Sequence, residues 1–184
     1  MITQTDAPEQ ASGRPRDGRI DEAVLRATAE LLVEVGYADL TWAKVASRAG
    51  TTRPALYRRW PSLAHLVHEA AFPQSLTAPF PRTGDPATDV RTMVAGALGA
   101  FAHPVARAAA PGLVAAVTAD PTLHSALLAR FSEALGGIEQ PLLDLIAGAA
   151  LFALLLHPGD LDAEPTRTAW TDRITALLTE GVTA

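Results

Sequence analysis

Apolar and small residues recur at three- and four-residue spacing from Ile20 onward, through Val24, Ala27, Thr28, Leu31, Leu32 and Val35. On a helix these positions form one stripe, so the segment predicts an amphipathic helix. Gly36 tolerates positive φ and marks its expected stop. Three shorter helices are expected next. Thr41 suits the cap of the first, whose inward positions are Trp42, Val45, Ala46 and Ala49, and Gly50 closes it. Thr52 suits the cap of the second, with Pro54 in its first turn, where a missing N–H costs little. Leu56 and Trp60 point inward on that helix and Pro61 ends it. Ser62 can cap a further helix over 63–72, which stops near Pro73.

The proline-rich stretch 73–86 predicts a linker. Beyond it the pattern predicts helices at about 87–103, 105–119, 122–135, 141–157 and 165–179, with Pro111 expected to split the second of these. No internal repeat, hairpin signal or alternating strand pattern occurs. The expected fold is all-α. An N-terminal three-helix head stands on a larger C-terminal helical body. The expected divisions are a flexible arm over 1–18, the head over 19–72 and the body over 73–184.

Composition supports this reading. Apolar residues make up 48% of the 184 residues and aromatics only 5%, so the interior is built mainly from Ala, Leu and Val. That suits close-packed helices better than sheets. The absence of cysteine excludes disulfides, thiolate metal sites and a Cys nucleophile. The polar start has no apolar run of the kind a secretory signal needs. The longest apolar stretch, 142–156, is interrupted by Asp144 and is too short to span a bilayer. A soluble cytoplasmic protein with no membrane partner is expected.

Charge changes the picture more. The formal net charge is −5, yet no Asp or Glu lies between Leu40 and His68, a stretch holding Lys44, Arg48, Arg53, Arg58 and Arg59. One basic segment sits in an otherwise acidic chain, and local distribution governs nucleic-acid association more than the total does. Two short helices joined by a tight glycine turn are the geometry of a helix-turn-helix, whose second helix enters the major groove. That second helix begins with Thr51, Thr52, Arg53, Pro54 and Ala55, small or hydrogen-bonding groups that permit close approach to bases. Arg53 can bind guanine O6/N7 in bidentate fashion, and the Ala55 methyl can meet a thymine methyl. Tyr57, Arg58 and Lys44 suit phosphate, where hydroxyl and cationic groups set register, and Thr41 is a further candidate DNA contact. Arg16 in the arm is a further candidate DNA contact.

The combination Gly36-Tyr37, Thr41, Ala46, Ala49-Gly50, Thr52, Leu56-Tyr57 and Trp60 resembles the head of the TetR family of bacterial transcription regulators. The resemblance implies a homodimer on double-stranded operator DNA with two related half-sites. It also implies an unidentified small-molecule effector in the body, whose binding tilts the helix at 62–72. The last two helices would then pair across the dimer as a four-helix bundle, through Leu145, Phe152, Leu155, Ile174 and Leu177. Candidate pocket residues are Met93, Leu98, Phe101, His103, Arg107, Phe131 and Trp170, a mostly apolar wall with a few orienting polar groups. Two features depart from the family pattern. Leu63 stands where many relatives carry a phosphate-binding lysine, and 130–140 is short for a helix that lines the pocket.

The leading expectation is a sequence-specific DNA-binding regulator, a repressor released by a small apolar ligand. The alternative is a helical dimeric protein-interaction module with a vestigial DNA-binding head. A helical enzyme or small-molecule carrier is a third class. No G-x-S-x-G elbow or phosphate-binding glycine loop occurs, so no catalytic residue and no cofactor are expected. His65 and His68 lie one turn apart without further ligands at metal spacing, so no metal is expected either. Trp42 and Trp60 are expected as core anchors rather than base-stacking groups.

Overall fold

The computed structural model describes residues 18–73, 82–134 and 139–180. Arg16, the rest of the arm over 1–17 and the linker stretch 74–81 lie outside them. The described residues form an all-α fold: α1 (Gly18–Val35), α2 (Trp42–Arg48), α3 (Arg53–Tyr57), α4 (Leu63–Ala71), α5 (Pro86–Ala102), α6 (Pro104–Ala119), α7 (Pro121–Ala134), α8 (Gln140–Leu156) and α9 (Glu164–Glu180). A single 3-10 turn, Pro158–Leu161, separates α8 from α9. The described helix ends lie within one or two residues of most expected limits.

The head forms around the buried stripe of α1. Val24 and Leu32 are fully enclosed and meet Val45, Leu56, Leu66 and Val67, which are enclosed as well. Trp60 closes this core, and its indole N–H donates to Glu69 Oε2 at 2.6 Å, so both its apolar body and its polar atom are satisfied. The third helix of the head, α3, is shorter than the pattern predicts. It ends at Tyr57 and runs through turns to Trp60, because the residue before Pro61 is driven out of the helical region.

The body is a bundle in which α5 packs on α9, α8 and α6. Helices α5 and α6 meet at 87°, turned by His103 and Pro104. Pro111 does not split α6, contrary to expectation. The helix forgoes one N–H bond there, while Ala109, Ala110 and Leu113 around it stay buried in the core, and that packing holds the turn together.

Head and body meet where α6 crosses α1 and α4. The Tyr37 ring, just past the end of α1, lies flat against the α6 backbone at Gly112, and any Cβ there would overlap it. Gly112→Val should therefore destabilise the protein by about 1–3 kcal/mol through overpacking. In urea denaturation, Tyr37→Ala should recover much of that loss in the double variant. Additive losses would show that the ring does not set the spacing.

Among the described residues no single helix is long and apolar enough to cross a membrane.

Candidate nucleic-acid interface and body cavity

The turn between α2 and α3 is fixed by backbone chemistry. Gly50 has φ of +64°. Its N–H bonds the Ser47 carbonyl at 3.3 Å, and the Thr51 N–H bonds the Ala46 carbonyl at 2.9 Å. Those two bonds are the paired closure of a Schellman motif, which satisfies the orphan carbonyls of α2 and aims the chain into α3. Thr41 caps α2 by accepting from the Lys44 N–H at 3.3 Å, and Ser62 caps α4 by accepting from the His65 N–H at 3.3 Å. Thr52 occupies the N-cap position of α3 with extended backbone, but its hydroxyl makes no capping bond. Its carbonyl instead accepts from Ala55 and Leu56 at 3.0 and 3.2 Å. The exposed hydroxyl at the start of α3 is thus not consumed by the helix.

The basic residues divide into two groups. Arg48 forks onto Glu34 at 2.9 and 2.8 Å and reaches Glu30 at 3.4 Å. That guanidinium holds the Glu34 carboxyl below its ordinary range, chiefly by hydrogen bonding. Arg59 binds Asp21 at 2.5 Å and the Ala55 carbonyl at 3.2 Å. Both arginines brace α1 against the motif. Arg53 and Arg58 are exposed and, among the described residues, have no acidic partner. Lys44 donates to the Asp39 carbonyl at 2.8 Å, a neutral partner that leaves its charge uncompensated. Tyr57 is 55% exposed, with its ring edge against Trp42 at a centroid distance of 5.0 Å. Trp42 is half-buried and supports Tyr57. Sequence periodicity missed the Arg48 and Arg59 pairings because it does not show how α1 is rotated against α2 and α3.

The structure thus collects Thr41, Lys44, Thr51, Thr52, Arg53, Pro54, Ala55, Tyr57 and Arg58 on the motif itself. Thr51 and Ala55 are half-buried and the others exposed, except for Arg16, which lies outside the described residues. Leu63 is half-buried and packs against the core.

A cavity of about 300 Å³ opens in the body. Its wall takes Phe72 from the end of α4, Phe101 from α5, Leu113, Val117 and Thr118 from α6, Leu127 and Phe131 from α7, and Asp144, Ala147 and Leu151 from α8. Phe72 sets its edge against both Phe101 and Phe131, at centroid distances of 5.4 and 5.2 Å. Of the expected wall residues, Phe101 and Phe131 line this space and the others do not. Met93 and Leu98 are buried in the α5 stripe. His103 is exposed at the bend before α6. Arg107 is drawn to Asp162, and the Trp170 N–H donates to Asp160 at 3.2 Å. Their polar groups are taken by the loop before α9, which turns them from the cavity.

On the body surface Leu145, Phe152, Leu155 and Leu177 are exposed, and Leu156 joins them at 60%. Ile174 is half-buried and packs on the chain's own core.

These features define a helix-turn-helix protein with a hollow helical body. Residues 24–70 match the sequence model described as bacterial regulatory proteins, tetR family. The chain is 32% identical over 81 residues to YdeS of Bacillus subtilis (strain 168), an uncharacterized HTH-type transcriptional regulator, covering 44% of this chain and 41% of that protein. Over 44 residues it is 50% identical to the uncharacterized HTH-type transcriptional regulator Rv2250c of Mycobacterium tuberculosis (strain ATCC 25618 / H37Rv), covering 24% of this chain and 23% of that one. The match thus spans less than half of either curated relative. The fold is similar to the crystal structure of a TetR transcriptional regulator from Rhodococcus sp. RHA1, with a TM-score of 0.64 at 20% identity, over 90% of this chain and 98% of that one.

Proposed function

We propose that this chain is a cytoplasmic, homodimeric, sequence-specific DNA-binding transcription regulator, a repressor released when a small apolar molecule enters the body cavity. The observation that carries this reading is the division of the arginines. Arg48 and Arg59 are spent on α1, while Arg53 and Arg58 stand exposed and without acidic partners among the described residues, beside Lys44 and Tyr57. A solvated charge run would not need this sorting. A phosphate and base-reading surface does. The relatives named as HTH-type transcriptional regulators support the same reading.

The exposed Leu145, Phe152, Leu155 and Leu177 support association through α8 and α9, since large apolar side chains left in water favour burial against a partner. A symmetric dimer would place two α3 helices one helical turn apart on DNA. Phe72 supports the ligand response. It ends α4, whose other end follows the reading helix, and its ring forms part of the cavity wall.

The test is selection of bound sites from random double-stranded DNA at near-physiological salt. Recovery of an inverted repeat is expected, with half-site centres about 10 base pairs or a multiple apart. No enrichment by a folded dimer would favour a protein-interaction module instead. Arg53→Ala should relax preference at one position of each half-site, at a cost of about 1–3 kcal/mol in quantitative binding assays. Tyr57→Phe should weaken all sites alike. Unchanged discrimination in Arg53→Ala would remove Arg53 from the base-reading set.

A further inference from the structure

Resting on the reading of the cavity as the effector site, we infer that its ligand is an uncharged aryl compound, one aromatic ring on a short chain that ends without a charge. The aromatic part follows from the wall. Phe101 and Phe131 lie with ring planes 15° apart and centroids 6.0 Å apart, and Phe72 meets both by its edge. These rings come from α5, α7 and the end of α4, and all of them border the space. Such a surface takes a further ring by offset or edge contact, which adds to the gain from burying its area. Helices α6 and α8 line the same space with small residues, Ala110, Ala147 and Gly148, and a Cβ added at Gly148 would meet nothing within 4 Å. The room exists where these helices carry little side chain. At about 300 Å³ it is at the small end for ligand pockets and admits one ring with a short chain.

The absence of charge follows from what the wall can offer. No Lys, Arg or His stands among the described wall residues. Arg130, adjacent in sequence to Phe131, is outside the wall and donates to the Phe72 carbonyl at 2.5 Å. A ligand carboxylate would therefore enter without a counter-charge. The polar side chains of the wall are Thr118 and Asp144, both exposed and so at the mouth rather than on the floor. Thr118 donates its hydroxyl to the Ala115 carbonyl at 2.8 Å, and Asp144 already has an interaction partner. A ligand ammonium would have to compete for Asp144 or lose its water among phenyl and leucine side chains. Burying an unpaired charge costs more than burying one ring returns. A neutral hydroxyl at the mouth avoids that cost, because it can donate to the lone pairs of Thr118 or stay in water.

Phenylbutanol, phenylbutylamine and phenylbutyrate share one skeleton and differ only at the head group, while cyclohexylbutanol keeps the neutral head and saturates the ring. Calorimetric titration of the full-length protein at neutral pH should find phenylbutanol about tenfold or more tighter than the amine and the carboxylate. The two alcohols differ in intrinsic hydrophobicity, so their ratio is compared between the parent and Phe131→Leu. The phenyl-to-cyclohexyl affinity ratio should drop about three- to tenfold in that variant. Ala147→Phe should weaken both alcohols by filling the wall, both variants being shown folded by circular dichroism. An amine or carboxylate that binds as tightly as phenylbutanol overturns the uncharged assignment, and an unaltered ratio in Phe131→Leu overturns the aryl assignment. Either result leaves the cavity reading standing. Absence of binding by all four compounds, or binding untouched by Ala147→Phe, overturns the ligand class and the cavity reading together.

Discussion

Phe72→Ala is expected to lower stability by about 3–5 kcal/mol, the usual cost of emptying a large aromatic site in a packed core. Phe72 is 2% exposed and joins α5, α7 and α4 through its ring contacts with Phe101 and Phe131. Its main chain is held as firmly. The N–H donates to the His68 carbonyl at 3.0 Å, and the carbonyl accepts from Arg130 at 2.5 Å. The second effect should be functional. If the proposed ligand response runs from cavity to head, Phe72 is the joint, because it belongs at once to α4 and to the wall. At a temperature where the variant is still folded, its DNA affinity should no longer change when the cavity is occupied, whereas Phe72→Leu should keep a reduced response. Denaturant unfolding and paired DNA titrations check the two parts separately. A loss below about 1 kcal/mol would mean that the aromatic cluster is loosely packed and carries little of the body's stability.

Much of the head was legible in the sequence because its determinants are local. Gly36 and Gly50 take φ of +75° and +64°, and each stops a helix where the pattern places the stop. Thr41 and Ser62 cap within three residues of themselves. A stripe such as Val24, Leu31 and Leu32 identifies its buried face without knowledge of the neighbour. What escaped is what depends on how elements sit against each other. The Arg48–Glu34 and Arg59–Asp21 pairs cross from one helix to another, and they turn an apparently uniform basic segment into a bracing set and an exposed set. The bare backbone at Gly112 acquires its meaning only from Tyr37, far away in the chain. The cavity was harder still. Met93 and Phe101 share one apolar face of α5, yet Met93 is core and Phe101 lines the space. Which end of such a face borders a void is set by the crossing of α5, α6 and α7, not by period. Arg107 and Trp170 were plausible as orienting groups by chemistry, but acids in the connection before α9 claim them.

Acid should destabilise this protein through one buried imidazole. His68 lies on the inner face of α4 at 4% exposure, and its Nε2 has no hydrogen-bond partner among the described residues. Burial, reinforced by the charges of Arg130 and His65, pushes its pKa down from 6.5 to about 4. In the unfolded chain the imidazole regains its ordinary value near 6.5. Between the two values the unfolded state therefore binds more protons than the folded one, and stability rises with pH. This contribution is complete above about pH 6.5 and is lost as the pH falls toward 4. The expected loss is about 3 kcal/mol, from roughly 1.4 kcal/mol per unit. His68→Leu should flatten this part of the pH–stability curve in urea denaturation. Above pH 7 the variant should be as stable as the parent or more so, because the unpartnered buried nitrogen goes with the ring. A slope that survives the substitution would assign acid lability to another group. Because α4 lies between the reading helix and the cavity, protonation at 68 also acts on the connection that positions the head. DNA affinity of the folded parent should then fall only as the pH nears 4, and not in His68→Leu, which separates a charge placed inside α4 from the loss of stability that begins near pH 6.5.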